Sequence, residues 1–273
     1  MNLDKKTESH IFMNKKYSPH IAVIDSGIGG FSILKALKKE IPHAKFSYLA
    51  DYKYQPYGSK DSCEIKKRLF TVSQKLLEKE KPDLLLIACN TASTIALSHL
   101  RESFSLPIIG IVPAIKPAAS LSKTKKIGLL ATAQTASCSY TKKLINDYAR
   151  DCQIYKLGSE KLVKFAESYF LEESYSQIEL ENEIKSLIQI KDLDVLILAC
   201  THFPNLLEDL KRLLPQITTW INPASAVAKQ THRILLKKES EIKKDITTKQ
   251  NSFITTKKIS KKLEATICKK EIL

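Results

Sequence analysis

Leu84-Leu85-Leu86-Ile87-Ala88-Cys89-Asn90-Thr91-Ala92-Ser93 decides the fold because its pattern occurs twice; the second copy is Val195-Leu196-Ile197-Leu198-Ala199-Cys200-Thr201-His202-Phe203-Pro204. Each is a short apolar run that ends in a cysteine and then small polar residues. Such a run, flanked by polar residues and too short for a helix, reads as a buried parallel strand. A helix start is expected after each cysteine. Asn90 and Thr91 are capping types, and Pro204 suits a first helical turn. Apolar residues then recur at helical spacing, at Ala92, Ile95, Ala96 and Leu100 and at Leu206, Leu207, Leu210, Leu213 and Leu214.

Each cysteine therefore falls at the carboxyl edge of a strand, where open parallel sheets bind ligands. A helix amino terminus offers unpaired N–H groups that favour anions, and the same field is expected to lower a thiol pKa from about 8.5. A single buried cysteine usually just packs. Two in one local context suggest two similar lobes that each give a thiol to a shared cleft.

Outward from these strands the chain alternates strand and helix. Ile21 to Ile24 reads as a first strand ending in Asp25-Ser26-Gly27-Ile28-Gly29-Gly30, with a helix through Ile33, Leu34 and Leu37. The glycine spacing is not a dinucleotide fingerprint, and no lysine-serine/threonine ending makes it a P-loop. Asp25 is either a plain helix cap or a carboxylate in the cleft. Lys45 to Leu49 is a second strand, followed by a loop with turn chemistry at Pro56 and Gly58. Tyr57 in that loop is a plug or a ligand contact. Further strands are read at 107–113, 126–132, 154–157, 193–199, 219–222 and 253–256, with helices between most of them. The expected class is α/β: two similar lobes with mainly parallel sheets and the active site at their interface. The first lobe is expected over 21–113 plus 224–273, the second over 114–223, and 1–20 is a flexible leader.

The chain has 273 residues, 43% hydrophobic and 27% charged, which excludes wholesale disorder. No apolar run reaches the roughly 20 residues of a membrane helix, and the amino terminus lacks the apolar core of a secretory signal. Six cysteines without a C-x-x-C pair fit reduced thiols in the cytoplasm. The net charge of +15 admits nucleic-acid binding, but the lysines are dispersed and arginine is scarce, so a solvated lysine-rich surface is the preferred reading. No nucleic-acid or membrane partner is expected.

Asp25-Ser26-Gly27-Ile28-Gly29-Gly30, Pro56-Tyr57-Gly58, Ala88-Cys89-Asn90-Thr91-Ala92 and Cys200-Thr201-His202-Phe203-Pro204 occur in an order and spacing that resembles glutamate racemase, of the cofactor-independent aspartate/glutamate racemase family. The resemblance covers roughly Ile21 to Cys268. It implies two α/β domains around one site, with Cys89 and Cys200 as the acid/base pair. Asp25 and His202 would help set the protonation of the thiols. Substrate contacts would come from Asp25, Ser26, Tyr57, Gly58, Asn90, Thr91, Thr201 and His202. Glu167 is set against an acidic residue of lesser role. No cofactor and no metal are implied, glutamate is the expected small-molecule substrate, and a homodimer is compatible with the family. Ala131-Thr132 stands where the family usually has Gly-Thr, and Asn222 where aspartate is common.

Racemisation removes a hydrogen from one face of a carbon and returns a proton to the other, so two groups on opposite faces are needed. Sulfur suits the task because its pKa lies near working pH. His202 has three readings: a core histidine, a zinc ligand with Cys200, or an acid/base partner. Cys-x-His is not usual zinc spacing. Aspartate racemases and related decarboxylases typically follow the second cysteine with threonine-glutamate, and Thr201-His202 favours glutamate instead. A non-catalytic binding protein is disfavoured by the presence of both thiols and all four blocks.

Overall fold

The computed structural model describes residues 18–238, 250–270 and 272. The expected leader lies outside these residues apart from 18–20. The described chain forms two parallel sheets. The first contains β1 (His20–Asp25), β2 (Lys45–Ala50), β3 (Leu84–Ile87), β4 (Ile108–Gly110) and β9 (Ser252–Thr255), in the order β4-β3-β1-β2-β9. The second contains β5 (Lys126–Ala131), β6 (Gln153–Gly158), β7 (Val195–Ala199) and β8 (Thr219–Ile221), in the order β8-β7-β5-β6. Apart from β9 the two orders correspond strand for strand. Every neighbouring pair in both sheets is parallel. The repeated apolar runs are the third strands, β3 and β7, each beside the first strand of its sheet.

Both faces of each sheet are covered at its centre, which is why β3 and β7 are apolar throughout rather than alternating, whereas the edge strand β6 is partly exposed. On one face of the first sheet, Ile21, Val23, Leu84 and Leu86 pack in one core with Phe31, Leu34 and Leu37 of α1 (Phe31–Glu40). Ala224, Ala228 and Leu235 of α10 (Ala224–Lys238) and Leu263 and Ile267 of α11 (Lys261–Lys269) join that core, so the carboxyl-terminal segment returns to the first sheet. On the other face, Ala22, Ile24, Leu85 and Ile87 meet α2 (Ser62–Glu80) and α3 (Asn90–Ser103). In the second sheet Leu196 and Leu198 face α7 (Lys161–Phe170) and α8 (Gln177–Ile188). Val195 and Ile197 pack with Ile115 and Ala118 of α4 (Ile115–Leu121).

Two local expectations change. Cys89 itself occupies the cap position of α3, in extended backbone at φ −81° and ψ 125°, and Asn90 and Thr91 lie inside the first turn. After Cys200 the chain makes a 3₁₀ turn at Phe203–Leu206 with Pro204 in it, and α9 (Leu207–Leu213) begins only at Leu207. Between β5 and β6 lie a short helix, α5 (Ala133–Ser137), and α6 (Ser139–Tyr148). Among the described residues no helix is long and apolar enough to cross a membrane.

Candidate active site

The carboxyl edges of β1, β3, β5 and β7 meet around one narrow cavity of about 20 Å³. The first lobe lines it with Ser26, the loop Gln55-Pro56-Tyr57-Gly58, and Cys89-Asn90-Thr91; the second contributes Thr132, Val163 and Cys200-Thr201-His202. Both cysteines are free thiols and buried, each 7% exposed. The structure thus brings nine of the ten expected site residues to the cavity wall. Asp25, the tenth, lies behind it, fully buried.

Asp25 ends β1. One carboxylate oxygen accepts the Gly27 N–H at 2.8 Å, and the other accepts the Thr201 hydroxyl of the opposite lobe at 3.2 Å. Asp25 is thus no cap of α1, which begins after Gly30 with no side-chain cap. Burial raises its pKa, opposed by the nearby His202 and by these hydrogen bonds. Glycine is required where the lobes meet. A Cβ on Gly29 would stand 2.4 Å from the Thr201 hydroxyl and 2.6 Å from His202 Nδ1.

The expected effect of the helix end on Cys89 is reversed. Its pKa is pushed up to about 12, first by burial and then by the Asp25 charge, while the Ala92 N–H of the first turn lowers it too little to compensate. Taking a thiolate out of water costs more than one helix end returns. Cys89 is therefore held as the thiol in this closed arrangement.

Cys200 has a different neighbour. His202 Nδ1 lies 3.8 Å from its Sγ, and His202 Nε2 forms an ion-pair contact with Glu167 Oε1 of α7 at 3.3 Å. Burial would lower the His202 pKa, but Cys200, Glu167 and Asp25 outweigh it and push the imidazole up to about 10. His202 thus lies beside Cys200, between it and Glu167. Among the described residues no group of three or more His, Cys, Asp or Glu side chains could hold a metal ion.

The polar wall has two states of satisfaction. The Thr91 hydroxyl crosses between lobes to those of Thr132 at 2.9 Å and Thr135 at 3.1 Å. The Asn90 side chain is buried, and neither its amide nitrogen nor its oxygen has a hydrogen-bond partner. An unpaired buried amide is costly, so its place in the cavity wall suits a polar ligand. Tyr57 contributes a ring to the wall, whereas its hydroxyl donates to Asp51 Oδ2 at 2.7 Å. Asp51 is held in turn by Arg68 at 2.6 and 2.8 Å and by the Thr256 hydroxyl at 2.6 Å, and these partners overcome burial to lower its pKa. Tyr57 is thus fixed from behind, and its hydroxyl is turned to Asp51.

Sequence reasoning missed Gln55 as a wall residue. Its amide nitrogen donates to Glu167 of the other lobe. No local signal marks that pairing, because the partners are far apart in the chain.

Two thiols facing one closed cavity from matching strand ends define a class. A model of the Asp/Glu/hydantoin racemase family matches residues 35–231. The glutamate racemase of Pasteurella multocida (strain Pm70) is 43% identical over 225 residues, 82% of this chain and 84% of the relative. That of Haemophilus influenzae (strain 86-028NP) is 39% identical over 231 residues, 85% and 86% respectively. Among solved structures, Escherichia coli glutamate racemase in complex with L-glutamate and the activator UDP-MurNAc-ala matches with a TM-score of 0.85 and 34% identity, covering 93% of this chain and 95% of that one. The Francisella tularensis enzyme in complex with D-glutamate matches with a TM-score of 0.75 and 26% identity, covering 91% of both. The chain belongs to the Asp/Glu/hydantoin racemase family and, within it, to the glutamate racemases, which are isomerases.

Proposed function

We propose that Cys89 and Cys200 are the two acid/base groups with which this chain interconverts L- and D-glutamate. The observation that carries the reading is their common cavity: each thiol ends the third strand of its own sheet, and the two strand ends face the same enclosed space. A substrate held between them presents one face of its α-carbon to each sulfur. One sulfur removes the α-hydrogen as a proton and the other delivers a proton to the opposite face. The direction of reaction decides which does which.

The surroundings of the two thiols suit opposite starting roles. Cys89 is kept protonated by burial and Asp25, so it is ready to donate. Cys200 stands beside a histidine that can take its proton or hand one back. General acid–base help contributes typically ~10²–10⁴-fold, too little for so weak a carbon acid. The remainder comes from fixed polar groups and exclusion of water. The unpaired Asn90 amide, the hydroxyls of Ser26, Thr91 and Thr201, and backbone N–H groups at the strand ends are the groups we assign to the substrate. Glutamate is a ligand of two of the matched structures. In a bacterium the D-glutamate formed would serve peptidoglycan synthesis, and the cytoplasm is the compartment in which free thiols and that substrate meet. We further propose domain limits near 113 and 224.

Purified protein without added cofactor is incubated with each enantiomer of glutamate, and in parallel of aspartate, while optical activity is followed. Loss of optical activity with glutamate, and much slower loss with aspartate, is expected. Background rates with every acidic amino acid, or activity that depends on added pyridoxal phosphate, would overturn the reading.

A further inference from the structure

Gln55 sits in the loop of the first lobe that also carries Tyr57 and Gly58, and it is half-buried in the cavity wall. Its amide nitrogen donates to Glu167 Oε1 on α7 of the second lobe. That same oxygen lies 3.3 Å from His202 Nε2, an ion-pair contact without the alignment of a hydrogen bond, and His202 Nδ1 lies 3.8 Å from Cys200 Sγ. Four side chains therefore form one line from the first lobe to the second thiol. The space for the amide is made by Gly27, where a Cβ would approach Gln55 Nε2 to 2.7 Å.

We infer that Gln55 is a positioning residue for Cys200: reaching across the cleft, it holds the Glu167 carboxylate beside His202, the neighbour of that thiol. The inference rests on the two-thiol reading and adds a residue to it. A hydrogen bond from a neutral amide orients a carboxylate without cancelling its charge. Glu167 is half-buried, and without Gln55 nothing described on the first lobe bonds to its side chain. It would be free to turn toward solvent. The charged or titratable groups around His202 are then Cys200 beside it and Asp25 from the end of β1, with Glu167 no longer held. The hydroxyl of Tyr52 lies close enough to Glu167 and Asp25 for their charges to raise its pKa after burial has done so, and it has no hydrogen-bond partner. It cannot replace the amide without moving.

The consequence is one-sided. An imidazolium beside a cysteine favours the thiolate, which is the form that reacts with alkylating agents. Loss of the Glu167 aim weakens the imidazolium and with it the reactivity of Cys200. Cys89 answers first to burial and Asp25 and only weakly to the charge of Cys200, so it changes much less.

The test compares full-length protein with Gln55→Leu, which keeps the bulk and loses the donor, and Gln55→Glu, which sets a carboxylate against Glu167. Thermal unfolding verifies folding. Iodoacetamide labelling at neutral pH is followed separately for Cys89 and Cys200 by peptide mass spectrometry, together with kcat and KM for glutamate. Cys200 labelling is expected to slow about tenfold in Gln55→Leu and further in Gln55→Glu, with Cys89 labelling changed less than about twofold and kcat falling more than KM rises. Unchanged Cys200 labelling, or equal changes at both cysteines, would overturn the inference. Labelling needs no turnover, so a wild type that proved unable to racemise glutamate would defeat the two-thiol reading without altering this result.

Discussion

The two strand ends share a topology and differ in chemistry. β3 and β7 occupy matching places in their sheets, and each delivers a buried cysteine to the same cavity. Past the sulfur they diverge. Cys89 caps a regular helix, and Asn90 and Thr91 follow within its first turn. Cys200 is followed by Thr201 and His202 and then a 3₁₀ turn, with Glu167 behind the histidine. The position two residues after the sulfur is thus threonine in one lobe and histidine in the other. A repeated strand end brings two thiols to one cavity, and the groups beside the two thiols differ.

The comparison can be broken most severely at His202. His202→Asn removes the proton partner of Cys200, and kcat/KM for glutamate should fall about a hundredfold, within the range of a lost acid–base helper. A drop of less than about threefold would mean that the histidine is structural. Gly29→Ala acts on the same side by intrusion, since a Cβ there would displace Thr201 and His202. A loss of about tenfold in activity with a retained fold is expected, measured as kcat/KM alongside thermal unfolding. The matching position in the first lobe should matter less. Thr91→Ala removes hydroxyl contacts to Thr132 and Thr135, each an ordinary neutral hydrogen bond, so a loss of roughly three- to tenfold is expected.

The smallest effect is on stability. His202 carries a pKa of about 10 in the fold, above its ordinary value of 6.5, so the folded state holds the proton more tightly than the unfolded chain. The resulting stabilisation is complete below about pH 6.5 and is lost as pH rises through about 10. The urea midpoint of the wild type should therefore fall relative to that of His202→Asn over this interval. Parallel curves would show that the histidine does not titrate as described.

Much of this architecture is legible in the residues because burial on both faces leaves an apolar signature. Each of the nine strands among the described residues overlaps a segment that reads as a strand from the sequence. α5 escaped because Ala133-Gln134-Thr135-Ala136-Ser137 carries no apolar stripe, and Thr132 supplies its cap through the Thr135 N–H at 3.2 Å. The position of both thiols was legible from the repeated strand end, but the shift of Cys89 was not. A helix terminus can be read from spacing, whereas complete burial beside Asp25 is a tertiary property. The Gln55–Glu167 contact fails for the same reason: it joins two lobes, and neither local sequence predicts the other.

The central claim is that each sulfur serves one face of the substrate carbon. Cys89→Ala and Cys200→Ala are each incubated in deuterated water with L-glutamate and separately with D-glutamate, and deuterium at the α-carbon is read by NMR. Racemisation should be abolished in both variants, with residual exchange confined to one enantiomer in one variant and to the other enantiomer in its counterpart. Exchange of the same enantiomer by both variants, or racemisation surviving in either, would contradict it.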